Sequence, residues 1–136
     1  DLTTLLPEDF PSVQQPLSIT TTIAGLFILT VYEDGVLLEN ERELVMQLLS
    51  QIRYPGLNQD LIKAEFLRLS QQVENKKPIP SEEEIFQSIR KTIQPKGRQV
   101  LLQVCAKLFA VDGELTSSEK ETLKRFRLNF DLESLN

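Results

Sequence analysis

The stretch that most constrains this chain is "ITTTIAGLFILTVY", Ile19 to Tyr32, an apolar run of 14 residues without a single charge. A helix that is apolar on every side has to be buried on every side. A bilayer span needs about 20 apolar residues, so the run reads as a helix at the centre of a domain, around which the other elements must pack. The 136 residues are 40% hydrophobic and 26% charged, enough for one domain with a real core. No basic segment followed by an apolar one opens the sequence, so no signal peptide is expected and the expected location is cytoplasmic.

Periodicity and capping signals set the other elements. Residues 1 to 17 hold Pro7, Pro11 and Pro16, which exclude a long helix and predict an extended arm packed through Leu5, Leu6 and Phe10. Ser18 is the expected N-cap of a first helix over about 18–33, closed near Gly35. Leu44, Val45, Leu48, Leu49 and Ile52 form the apolar face of a second helix over 39–53. After the break at "YPGLNQ", Asn58 caps a third to about Val73, with Leu61, Ile62, Phe66, Leu69 and Val73 inward. Ser81 and Glu84 make a capping box for a fourth to about Ile93. "QPKG" reads as a further break before a fifth helix over 98–111, apolar through Val100, Leu101, Val104, Leu108 and Phe109. Thr116 and Glu119 make a second capping box, opening a last helix to about Phe130 with Leu123, Phe126 and Phe130 buried. No segment alternates with period two. The expectation is a single all-α domain over 1–136: a compact bundle of about six helices, with two pseudo-repeated helix–loop–helix pairs flanking a central pair.

Both flanking turns carry the same residues. "VDGELTSSE", Val111 to Glu119, contains Asp112, Gly113, Leu115 and Glu119; "EDGVLLENE", Glu33 to Glu41, contains Asp34, Gly35, Leu37 and Glu41 in the same places 78 residues upstream. Each copy has the second half of a calcium loop, with acid, glycine, apolar residue and glutamate at the fifth, sixth, eighth and twelfth positions. The first and third ligand positions fall on Thr30 and Tyr32 in one copy and on Leu108 and Ala110 in the other. Those absences weigh against a degenerate EF-hand-like calcium sensor, and two copies that keep and lose the same positions point to a motif of its own.

Two readings of the four acids stand. In one they serve only as helix caps: Glu119 returns a hydrogen bond to Thr116, and each aspartate caps its turn. In the other Asp34, Glu41, Asp112 and Glu119 are ligands of a divalent cation. Two features favour ligation. An aspartate at a helix C-terminus faces the negative end of the dipole, and Glu41 is kept although Leu38 stands where a capping residue would be. With no histidine, a metal site must use oxygen, which selects hard cations such as calcium or magnesium. If the two helical pairs pack with approximate twofold symmetry, the four acids converge.

The pattern A-x-x-D-G-x-h-x-x-x-E, with h apolar, resembles the TerB-like family of tellurite-resistance proteins, and the related domain of membrane-anchored J-domain co-chaperones. "KLFAVDGELTSSEKETLKRF" matches it well. "LTVYEDGVLLENERELVMQLL" matches it more loosely, with Val31 and Tyr32 where small residues are usual. The resemblance covers roughly residues 18–54 and 97–131. It implies an all-helical fold of two similar halves, an acidic site proposed for a divalent cation, a part in stress responses to tellurite and other toxic agents, and peripheral association with membrane-linked complexes. It implies no catalytic activity.

The remaining residues agree with a non-enzymatic binding module. There is no histidine, no nucleophile–base pair and no glycine-rich phosphate loop. A net charge of −5 disfavours nucleic acid, and the expected partners are proteins. No cofactor is required beyond the cation under discussion. The lone Cys105 reads as a small buried hydrophobe. Glu82, Glu83 and Glu84 suit the start of a helix. Lys120, Lys124 and Arg127, with Arg125 nearby, make a basic stripe on the last helix, either a solvated face or a docking site for an acidic partner or anionic lipid.

Overall fold

A computed structural model describes residues 17–32, 37, 39–51, 57–110 and 114–132. It contains six helices among the described residues: α1 Ile19–Val31, α2 Glu39–Gln51, α3 Gln59–Glu74, α4 Glu82–Thr92, α5 Pro95–Phe109 and α6 Ser117–Asn129. The arm with Leu5, Leu6 and Phe10, and the positions Gly35, Leu38 and Ile52, lie outside the described residues.

α1 is the hub. It packs on α3, α4 and α5, while α2 packs on α3 and α5, and α5 on α6. Ile23, Ala24, Leu26, Phe27 and Ile28 are buried to 2% exposure or less, so every face of the helix is covered. At Gly25 a Cβ would stand 2.8 Å from Ile85 Cδ1; the missing side chain is what lets α4 approach. The threonines that interrupt the apolar run are satisfied. Thr22 Oγ1 donates to the Ser18 carbonyl at 2.8 Å and shares a 2.6 Å hydrogen bond with Ser88 Oγ of α4. Thr30 Oγ1 lies 2.9 Å from the Leu26 carbonyl and 3.3 Å from Cys105 Sγ of α5. Buried hydroxyls left without partners would each cost about 1–3 kcal/mol.

The caps follow the sequence signals. Ser18, Asn58, Ser81 and Thr116 each accept a hydrogen bond from the first turn of their helix, and Ser81–Glu84 and Thr116–Glu119 are complete capping boxes. α3 and α6 end in Schellman turns whose left-handed residues are Lys76 and Asp131, at φ 58° and 60°.

Three expectations are corrected. α5 begins at Pro95, not at Arg98, because a proline in the first turn gives up an N–H that has no helical partner anyway. Leu61 and Val100, expected inward, are exposed: the buried stripes run through Ile62, Phe66 and Leu69 on α3 and through Leu101, Cys105 and Leu108 on α5, one residue to the side. On α6 the buried positions are Thr122 and Phe126, with Phe130 buried at its C-cap, while Leu123 is only half-buried.

Arginines join the second half. Arg98 at the start of α5 donates to three carbonyls: Ile93 at 2.7 Å, Phe130 at 3.0 Å and Arg90 at 3.1 Å. It thereby ties the ends of α4 and α6 to the beginning of α5. Arg90 adds a bond to the Asn129 carbonyl at 2.7 Å. Beneath them Phe86 meets Phe126 and Phe130 edge-on, with ring centres 5.4 and 5.9 Å away.

Two predictions follow from this packing. Charged hydrogen bonds are worth about 1.5–3 kcal/mol, so Arg98→Ala is expected to lower unfolding free energy by roughly 2 kcal/mol in a urea titration. Arg98→Lys, which lacks the planar fork, should recover only part of the loss. The second concerns Cys105. Burial pushes its thiol up to about 12, against a smaller opposing pull from the Thr30 hydroxyl. Ellman's reagent at pH 8 should leave the native thiol unmodified and titrate it on denaturation. Between about pH 9 and 12 the unfolded thiol ionises while the folded one stays protonated, so stability falls with rising pH by about 1.4 kcal/mol per unit from this group. Cys105→Ala should remove that component of the alkaline slope.

Candidate functional site

The two motif copies join corresponding helices. α1 ends at Val31 and α5 at Phe109; α2 begins at Glu39 and α6 at Ser117; α2 ends at Gln51 and α6 at Asn129. Each pair is separated by the same 78 residues that separate Asp34 from Asp112. The caps match as well. Tyr32 closes α1 at φ −101°, ψ 19° and Ala110 closes α5 at φ −87°, ψ 11°. The repeated sequence thus corresponds to helix ends that repeat at the same offset on both sides of the turn.

Asp34 and Asp112 lie outside the described residues, as do Gly35 and Gly113. The two glutamates can be placed. Glu119 stands at the third position of α6, where its Oε1 accepts from Thr116 N at 2.9 Å and its own N–H donates to Thr116 Oγ1 at 3.0 Å. Its carboxylate keeps a second oxygen for another contact. Glu41 occupies the corresponding position of α2, where its N–H donates to Asn40 Oδ1 at 3.0 Å. Leu37, the apolar position of the first motif, packs against the core. Among the described residues no three potential ligand side chains cluster as a metal site.

Polar contacts hold the neighbourhood of the first turn. The Tyr32 hydroxyl donates to Glu74 Oε2 at 3.3 Å, and Arg42 reaches the same oxygen at 3.8 Å. Burial raises the Tyr32 phenol above its ordinary value. Arg42 follows Glu41 directly, so the helix carrying one motif glutamate is pinned by its neighbour to the end of α3. Nearer the other end of α1, Glu65 accepts from Thr21 at 2.9 Å and pairs with Arg68 at 2.7 Å. The Arg68 hydrogen bonds hold its carboxyl below the usual range, against the opposing effect of burial.

A second feature lies between α5 and α6. The basic stripe of Lys120, Lys124 and Arg127 forms one wall of a groove of about 400 Å³, completed by Leu102, Gln103, Ala106 and Leu123. The stripe was legible in the sequence. The groove was not, because Leu123 reads as a core residue and only the tertiary approach of α5 places Leu102 and Ala106 opposite it. No helix among the described residues is long and apolar enough to cross a membrane.

A bundle wrapped around one buried helix, with the same acidic sequence motif ahead of α2 and of α6, defines a small all-α module. The chain belongs to the TerB family: the family model described as "Tellurite resistance protein TerB" matches residues 20–134. No curated protein and no solved structure gives a significant match.

The capping box yields a direct test of Glu119. Glutamine can accept from Thr116 N as glutamate does, whereas alanine cannot. Glu119→Gln is expected to stay within about 0.5 kcal/mol of the parent in urea unfolding, and Glu119→Ala to lose about 1 kcal/mol.

Proposed function

We propose that this chain is a non-enzymatic, stress-associated TerB module that works by binding protein partners, and that its paired acidic turns hold a divalent cation, calcium or magnesium. The observation that supports the reading is the common register of the two turns. Helix ends, C-cap positions and glutamates repeat at the offset of the aspartates, which a pair of unrelated caps would not require. Asp34, Glu41, Asp112 and Glu119 supply at most four carboxylates, whereas calcium takes six to eight oxygens. Water and turn carbonyls complete the shell, and the site is weak. Capping by Glu119 does not compete with this role, since one carboxylate oxygen serves Thr116 and the other is left for the ion. A cytoplasmic setting with peripheral attachment to membrane-linked complexes fits the family assignment.

The competing reading, in which the acids are caps and the chain is a plain interaction module, is favoured by the complete box at Thr116 and Glu119. Thermal unfolding with millimolar calcium or magnesium separates the two. A ligand that binds only the native state raises Tm. Cation binding is expected to give a rise of a few degrees in the parent that disappears in the Asp34→Asn, Asp112→Asn double variant, in which the turn-capping oxygens remain. No shift in the parent with any common divalent ion would leave these acids as caps.

A further inference from the structure

The groove between α5 and α6 combines an apolar floor with unneutralised positive charge. Leu102 and Ala106 from α5 and Leu123 from α6 form the floor; Lys120, Lys124 and Arg127 form the wall; among the described residues no carboxylate lines it. All three cations are exposed, and among the described residues no acid lies within ion-pair distance of them. The contrast with their neighbour Arg125 is informative. It points to the other side of α6, where it pairs with Glu82 at 2.7 Å and lies over the Phe126 ring. On a chain of net charge −5, these three cations stand beside partly buried apolar surface with no ion pair among the described residues.

We propose that this groove docks an acidic amphipathic protein segment, with an aliphatic side chain on the floor and carboxylates on Lys120, Lys124 and Arg127. The geometry selects this occupant. The cations span seven residues of α6, about 10 Å along the helix, too far for one carboxylate and suited to acids at similar intervals on a helical segment. Helix-in-groove recognition uses the same arrangement of apolar anchor and flanking charge. A bilayer surface would not fill a recess between two helices, whereas a helical segment can enter it. The inference rests on the reading of the chain as a protein-binding module and gives its partner a chemistry; it is independent of the cation.

Selection of a twelve-residue random peptide library displayed on phage against the immobilised full chain tests it. Enriched sequences are expected to carry a leucine, isoleucine or methionine flanked by two or more acids. Synthetic versions should bind with an affinity that falls as salt rises, and should weaken about tenfold or more toward Lys124→Glu, Arg127→Glu. These positions are exposed, and circular dichroism of the variant should match the parent. Leu123→Ser is expected to weaken the same peptides without changing the salt dependence. Enriched peptides that ignore both variants would overturn the groove and leave the binding-module reading standing. Failure to enrich any peptide would count against both. Three further results assign the groove elsewhere and overturn the proposal: binding of phosphatidylglycerol vesicles that Lys124→Glu, Arg127→Glu abolishes; self-association that it abolishes; and competition by a peptide of residues 1–16 that displaces every selected sequence.

Discussion

Complete burial of α1 is the constraint on which the rest of the structure depends. A helix that offers no polar face cannot be an edge element, so α3, α4 and α5 must surround it. Two features, one steric and one polar, make this work. Gly25 lets α4 close onto the helix backbone, with Ile85 in the space a side chain would take. Thr22 and Thr30 place hydroxyls in the core, and each finds a partner on the helix it faces, Ser88 on α4 and Cys105 on α5. These contacts fix how α4 and α5 sit along α1. An all-aliphatic helix would favour burial as strongly but would specify position less sharply.

The two helix–turn–helix pairs share a register but not an environment. In the first, the leading helix is the hub itself, and the amphipathic α2 that follows it leans on α3 and α5. In the second, α5 is amphipathic, and α6 is fastened by its far end, through Arg90, Arg98 and the phenylalanines, to α4. That fastening leaves the α5–α6 surface with a recess. The second pair carries a groove, and the basic residues of α6 stand beside it. Repetition of sequence therefore coexists with different packing surroundings for the two pairs.

How far the sequence disclosed this can be argued from particular residues. Capping is local chemistry, and Ser18, Asn58, Ser81 and Thr116 act where their side chains predict. The apolar run disclosed the hub for the same reason: no partner-specific information is needed to know that it must be buried. The errors share a cause. "QPKG" combines two residues that often end helices, but Pro95 falls in a first turn, where its missing N–H is harmless, and Arg98 then anchors that turn to three carbonyls from elsewhere. Leu61 and Val100 are apolar residues adjacent to buried stripes; periodicity with a tolerance of one position cannot tell a stripe from its margin. For the site, the position and cap of Glu119 were legible because both partners lie within three residues. The groove depended on an approach of α5 to α6 that no local pattern encodes.

The acids and the bases of this chain answer different physical demands. A carboxylate at the start of a helix is favoured by the dipole whether or not it binds anything, so Glu41 and Glu119 would be stable there in any helical protein, and Glu119 is also held by Thr116. Retaining them has no thermodynamic cost to explain. Lys120, at the fourth position of α6, has no such excuse, and it stands with Lys124 and Arg127 at helical spacing, where like charges one turn apart repel. The favourable dipole interaction at the C-terminal end reaches Arg127 but fades within the last turn, before Lys120. Three cations thus share one face beside partly buried apolar side chains, with no ion pair among the described residues to offset their repulsion. The proposed acidic, aliphatic segment would offset the repulsion and cover the apolar area together.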